Sequence, residues 1–169
     1  MLALLVRQTK NATYPELAAQ TGLAPSAVHS SLRRAAAAGL VLFEERRPVA
    51  LKTQLREFVL SGAKYAFPAV HGRLTRGVPT AYAAAPLNTL IASTADPVPV
   101  WPHKAGTVRG VSLAPLYPTV PEAALRDARL YAVLALFDAI RSGRARERNL
   151  AQEKLLEYFS DPGSQSPQD

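Results

Sequence analysis

The chain has 169 residues, 48% of them apolar, with no cysteine and a formal net charge of +7. That length buries a core without staples, and the missing cysteine excludes a disulfide framework and a cysteine–zinc site. A basic balance points to an anionic partner, nucleic acid first, and the charge is uneven: residues 1–50 carry 6 basic and 3 acidic side chains, 51–121 carry 7 and 2, and 122–169 carry 7 and 8.

The opening MLALLV is apolar but short, and its basic residues Arg7 and Lys10 follow rather than precede it. It reads as part of a first helix over 2–9, not as a signal peptide. No stretch has the length and apolarity of a membrane span, and a cytoplasmic protein without a membrane partner is expected.

Residues 15–41, PELAAQTGLAPSAVHSSLRRAAAAGLV, predict a helix over 15–20, a tight turn at Gly22 and a longer helix over 25–38. Two helices meeting across such a turn constrain three positions. Ala18 is small where the second helix crosses, Gly22 tolerates positive φ, and Val28 is apolar and faces inward. Leu17, Leu23 and Leu32 complete a small core. Pro25 fits the first turn of a helix and Gly39 its end, while Ala24 stands where a serine or threonine would cap. With Val28 and Leu32 inward, Ser26, Ala27, His29, Ser30 and Arg33 point outward, and Arg34 flanks them. Short polar residues let a helix backbone approach a DNA groove, hydroxyls bind phosphate, and arginine reaches phosphate or a guanine edge.

LVLFEE (40–45) and PVAL (48–51) predict two short strands joined at Arg46 and Arg47. A helix over 53–61 carries Leu51, Leu55, Phe58 and Val59 at helical spacing and stops at Gly62.

The motif ELAAQTGLAPSAVHSSLRRAAAAGLV, with a hydrophobic strand and EERRPV after it, resembles the winged helix-turn-helix transcriptional regulators, in particular MarR-like ones, over about the first 60 residues. The resemblance implies DNA binding as a dimer, with the third helix in the major groove and the hairpin as a wing. By position, Ser26, His29, Ser30 and Arg33 would be recognition contacts, and Arg46 and Arg47 wing contacts.

Residues 66–121 hold 9 of the 14 prolines, so no long helix is expected there. Phe67, Tyr82, Trp101 and Tyr117 make the segment too apolar for a solvated linker. It is expected to lie extended across the chain's own helices or a partner, with 106–113 as a short edge strand. PVPVWPH reads as a polyproline-type stretch and GRLTRGVPT (72–80) as a basic turn. Residues 122–159 predict a helix ending near Gly143 and a last helix over 145–159. RSGRARER (141–148) reads as a solvated helix start or, functionally, a second phosphate patch. The tail from Ser160 is expected to be disordered.

The expected architecture is mainly α: a winged helix-turn-helix with a small β-hairpin over 1–62, a proline-rich extended segment over 63–121, a C-terminal helical pair over 122–159 and a tail over 160–169. His29, His71 and His103 lack metal-ligand spacing, and no phosphate-binding loop, nucleophile elbow or dinucleotide fingerprint occurs. No enzyme, metal or cofactor is therefore expected. The leading reading is a transcriptional regulator, a repressor, with double-stranded DNA and a second copy of the chain as partners. The alternative is an antitoxin-like or adaptor protein whose proline-rich segment binds a partner protein.

Overall fold

The computed structural model describes residues 1–7, 12–91 and 97–160. Its regular structure is mainly helical, with one two-stranded and one three-stranded sheet. The first helix, α1, covers Leu2–Val6 and buries Ala3, Leu5 and Val6. The predicted continuation to residue 9 stops at Arg7, whose backbone is extended; residues 8–11 lie outside the described ones.

Helix α2, Tyr14–Thr21, starts at a reciprocal cap. The Glu16 carboxylate accepts from the Thr13 amide at 2.8 Å, and the Thr13 hydroxyl accepts from the Glu16 amide at 3.4 Å. It ends on Gly22 at φ 70°, whose N–H donates to the Ala18 carbonyl. Helix α3, Pro25–Ala37, follows and buries Val28, Leu32 and Ala35. Burying Leu17, Val28 and Leu32 contributes about 1.5–3 kcal/mol each.

Strands β1, Val41–Glu44, and β2, Arg47–Ala50, form an antiparallel hairpin pairing Glu44 with Arg47. Its two-residue turn is Glu45–Arg46, both at positive φ. Arg47 therefore begins a strand, one position away from the joint expected at Arg46–Arg47. A two-residue turn of this hand matches the twist of the strands it joins.

Gly62 does not stop the next helix. Helix α4, Lys52–Glu57, runs through a π turn at Phe58–Gly62 into α5, Ala63–Ala66. Leu55, Val59 and Ala63, spaced by four, are all fully buried. A spacing of four drifts around a 3.6-residue helix, and the wider π turn keeps the three on one face. The helix ends before Pro68 instead.

The proline-rich segment is not simply extended. It forms β3 (His71–Pro79), β4 (Pro99–Pro102) and β5 (Val108–Leu113), with short helical turns at Ala81–Ala83 and Leu87–Thr89. β3 pairs antiparallel with both β4 and β5, and β4 pairs parallel with β5, closing the sheet on itself. GRLTRGVPT is thus strand, not turn. PVPVWPH contributes β4, with Val100 and Trp101 buried in the chain's own core. The strand expected over 106–113 pairs on both sides rather than lying at an edge. The closure is tight: a Cβ on Gly77 would sit 2.1 Å from the Trp101 carbonyl oxygen, so no larger residue fits.

Helix α6, Val120–Arg126, begins two residues earlier than expected and breaks at Asp127, which caps α7, Ala128–Ser142, by accepting from the amides of Arg129 and Leu130. Helix α8, Ala145–Phe159, closes the described chain. The tail expected from Ser160 starts one residue later at the earliest: Ser160 caps the end of α8, its amide donating to the Leu156 carbonyl at 3.2 Å, and residues 161–169 lie outside the described ones.

α7 is buried almost all round, and at its centre lies Asp138, 1% exposed. One carboxylate oxygen accepts from the Thr80 hydroxyl at 2.8 Å and the Trp101 indole at 2.6 Å. The other takes Nε of Arg141 at 2.7 Å, and that guanidinium also donates to the Ala114 carbonyl at 2.6 Å. Burial pushes the Asp138 carboxyl upward, while Arg141, Thr80 and Trp101 favour its ionised form. The network ties the three-stranded sheet to α7. A single buried cluster runs from Ala3 to Leu155.

Candidate nucleic-acid interface

With Val28 and Leu32 turned into the core, helical geometry turns Ser26, His29, Ser30 and Arg33 to solvent, and all four are exposed. Arg34 and Ala27 lie seven apart on the flank of this face. Arg34 is exposed, and its guanidinium donates to the Ser31 hydroxyl at 3.1 Å. Ala27, expected to point outward, is half-buried. The His29 ring is held against Tyr14 of α2 with centroids 5.6 Å apart. Tyr14 is a neighbour that no motif position announces.

Ala24 has an extended backbone at the start of α3 and makes no side-chain cap. The turn before it is packed from the far end of the chain. A Cβ built on Gly22 would meet the Thr119 Cβ at 3.2 Å and an Arg126 nitrogen at 3.3 Å. At φ 70° the position already favours glycine. Thr119 donates to the Thr21 carbonyl, and the Gln20 amide donates to Asp127 at 3.0 Å. The exposed Arg126 guanidinium thus lies beside the turn that leads into α3. Sequence reasoning missed it, because no local pattern links residue 126 to residue 22.

The hairpin tip carries Arg46 and Arg47, both exposed, with Glu44 and Glu45 beside them. Its charge is balanced, so the positive character of this surface comes from Arg33, Arg34 and Arg126. Glu16 faces the hairpin from α2. Hydrogen bonds from the Thr13 amide and hydroxyl, with Arg7 and Arg47 adding smaller attractions, hold its carboxyl below the usual range. Arg7 lies 3.3 Å from it.

The exposed face of α3 offers two hydroxyls, an imidazole and cationic guanidiniums. The arginine run at 141–148 is not brought to it as a patch. Arg141 is in the buried Asp138 network rather than solvated, and Arg148 donates to the Gly143 carbonyl at 3.1 Å. Among the described residues no group of three histidine, aspartate or glutamate side chains could hold a metal ion, and no helix is long and apolar enough to cross a membrane. No protein-family model, curated protein or solved structure matches the chain.

Proposed function

We propose that residues 1–62 are a winged helix-turn-helix unit and that the protein is a DNA-binding transcriptional regulator of MarR-like type, a repressor acting as a dimer. The observation that carries this reading is the division of α3: Val28, Leu32 and Ala35 are buried while Ser26, His29, Ser30 and Arg33 are exposed, behind a left-handed turn at Gly22. α3 enters the major groove of double-stranded DNA. Ser26 and Ser30 bind phosphate, Arg33 reaches phosphate or a guanine edge, and Arg34 binds the flanking backbone. Arg46 and Arg47 follow the backbone beside the helix. Phosphate contacts give affinity, a few base contacts give specificity, and occupancy of the operator represses.

The test is fluorescence anisotropy of the protein on its own upstream DNA and on a scrambled duplex, at two salt concentrations, with Arg33→Ala alongside. Preference for the upstream duplex, weakened by Arg33→Ala by about 1–3 kcal/mol, is expected. Equal binding to both duplexes, or none, refutes the reading. A second reading, an antitoxin-like or adaptor protein, treats the helix pair as packing or autoregulation. The observation that favours it is the part of β3, His71–Arg76, that pairs with β5 alone among the described residues.

A further inference from the structure

Between Glu57 and Glu122 the sequence has one carboxylate, Asp96, which lies outside the described residues. The same stretch carries Arg73, Arg76 and Arg109 on the three-stranded sheet, all exposed. Among the described residues none of the three has an ion-pair or side-chain hydrogen-bond partner. Arg76 and Arg109 stand directly opposite one another across β3 and β5. Like charges in that relation weaken a sheet, and a counter-charge from elsewhere would relieve them.

The backbone beside them is also open. β4 covers only Gly77–Pro79 of β3. Among the described residues, the half from His71 to Arg76 has β5 on one side and no strand on the other. The last bond on the uncovered side runs from the His103 amide to the Arg76 carbonyl at 3.4 Å. Backbone groups alternate sides along a strand, so Leu74, two residues earlier, directs its N–H and C=O to that side. Its side chain is 52% exposed and that of Val70 61%. Of the eight exposed large hydrophobic residues among those described, four lie between residues 65 and 74. Exposed apolar side chains at and next to an open edge, here Leu74 and Val70, mark an interaction surface.

We propose that the uncovered edge of β3, His71–Arg76, receives an extended, carboxylate-bearing segment of a partner protein as an added strand. The backbone of Leu74 pairs with it, Arg73, Arg76 and Arg109 meet its carboxylates, and Val70 and Leu74 meet its apolar side chains. A strand edge presents a donor and an acceptor in alternation. A phosphodiester chain offers acceptors alone and would leave the Leu74 carbonyl unpaired, so a polypeptide fits better than nucleic acid. A second copy joined edge to edge would bring arginine against arginine. The surface is separate from α3, and the proposal stands independently of DNA binding.

The test uses the full chain and a labelled synthetic peptide of alternating glutamate and valine, with a lysine–valine peptide as control. Anisotropy and amide hydrogen exchange are read on the wild type, on Arg73→Glu/Arg76→Glu, and on Arg33→Ala. Binding of the acidic peptide alone is expected, weakened about ten-fold or more by the double charge reversal, about 1.4 kcal/mol, and unchanged by Arg33→Ala. The Leu74 amide slows its exchange in the complex. Absent binding, affinity indifferent to the charge reversal, or unchanged Leu74 exchange overturns the proposal. Protection of Leu74 by duplex DNA, or by raised protein concentration alone, assigns the edge to nucleic acid or to a second copy and overturns it too. An unchanged melting temperature in the charge-reversed variant separates lost binding from lost folding.

Discussion

Thr119 donates its hydroxyl to the backbone carbonyl of Thr21 at 2.8 Å, across 98 residues of chain. The bond lands on the last residue of α2, one position before the left-handed Gly22. Gln20, beside it, donates to Asp127, the residue that ends α6 and caps α7. The turn that aims α3 is therefore held from both ends of α6, and a shift of α6 moves α3 with it.

Arg126 lies beside the same turn, exposed and cationic. On the DNA-binding reading it adds a phosphate contact. Arg126→Ala should weaken binding to the upstream and scrambled duplexes alike and reduce the slope of log affinity against log salt by about one. Stability should move by no more than about 0.5 kcal/mol. An unchanged salt slope removes Arg126 from the interface.

Ala24 already has cap geometry, φ −61° and ψ 144°, but no side-chain acceptor for the first amides of α3. Ala24→Ser supplies one. It should stabilise the protein by about 1 kcal/mol, seen as a rise of about 2–4 °C in melting temperature. Ala24→Val, of low cap preference, should give no such rise.

Asp138 answers for three buried donors on three parts of the chain. Asp138→Ala leaves the Arg141 guanidinium buried and unpaired and should cost about 3–5 kcal/mol in urea unfolding. Adding Arg141→Leu should recover part of that loss. Thr80→Val removes one neutral donor and should cost about 1 kcal/mol.

Asp127 sets an acid limit. Burial works against its ionised form, but the Leu130 amide, Gln20, the Arg129 amide and the Arg129 charge outweigh it, and the carboxyl lies below its ordinary value. A carboxyl lowered on folding stabilises above its unfolded value, about 3.9, and loses that contribution as pH falls through the folded value. Stability should therefore fall below about pH 4. Asp127→Asn should lower stability near neutrality and flatten this acid slope, as urea titrations at stepped pH would read.

The helices nearest the candidate interface were legible because their signals are local. Leu17, Gly22, Pro25, Val28 and Leu32 all act within a turn or two of themselves, whereas the Thr13–Glu16 cap that starts α2 went unread. The hairpin was legible to one residue; its turn falls on Glu45–Arg46 because strand twist decides that register. Gly62 misled, since the buried series Leu55, Val59 and Ala63 carries the helix past it. Of the three-stranded sheet only β5 was legible, as the strand expected over 106–113; its partners were hidden. Prolines at 79, 99 and 102 look like strand breakers, yet here they occupy strand positions in a small closed sheet. The bonds from Asp138 to Trp101 and Thr80 span 37 and 58 residues, and no periodicity announces them. Arg126 at the α3 turn was illegible for the same reason.

The continuous interior from Ala3 to Leu155 has a practical consequence. A fragment cut at residue 62 would expose the faces of α1, α2 and α4 that pack against α7, α6 and α8 in the whole chain. The excised segment would aggregate or melt early, and heat should take the intact protein apart in one calorimetric step, with no half left standing.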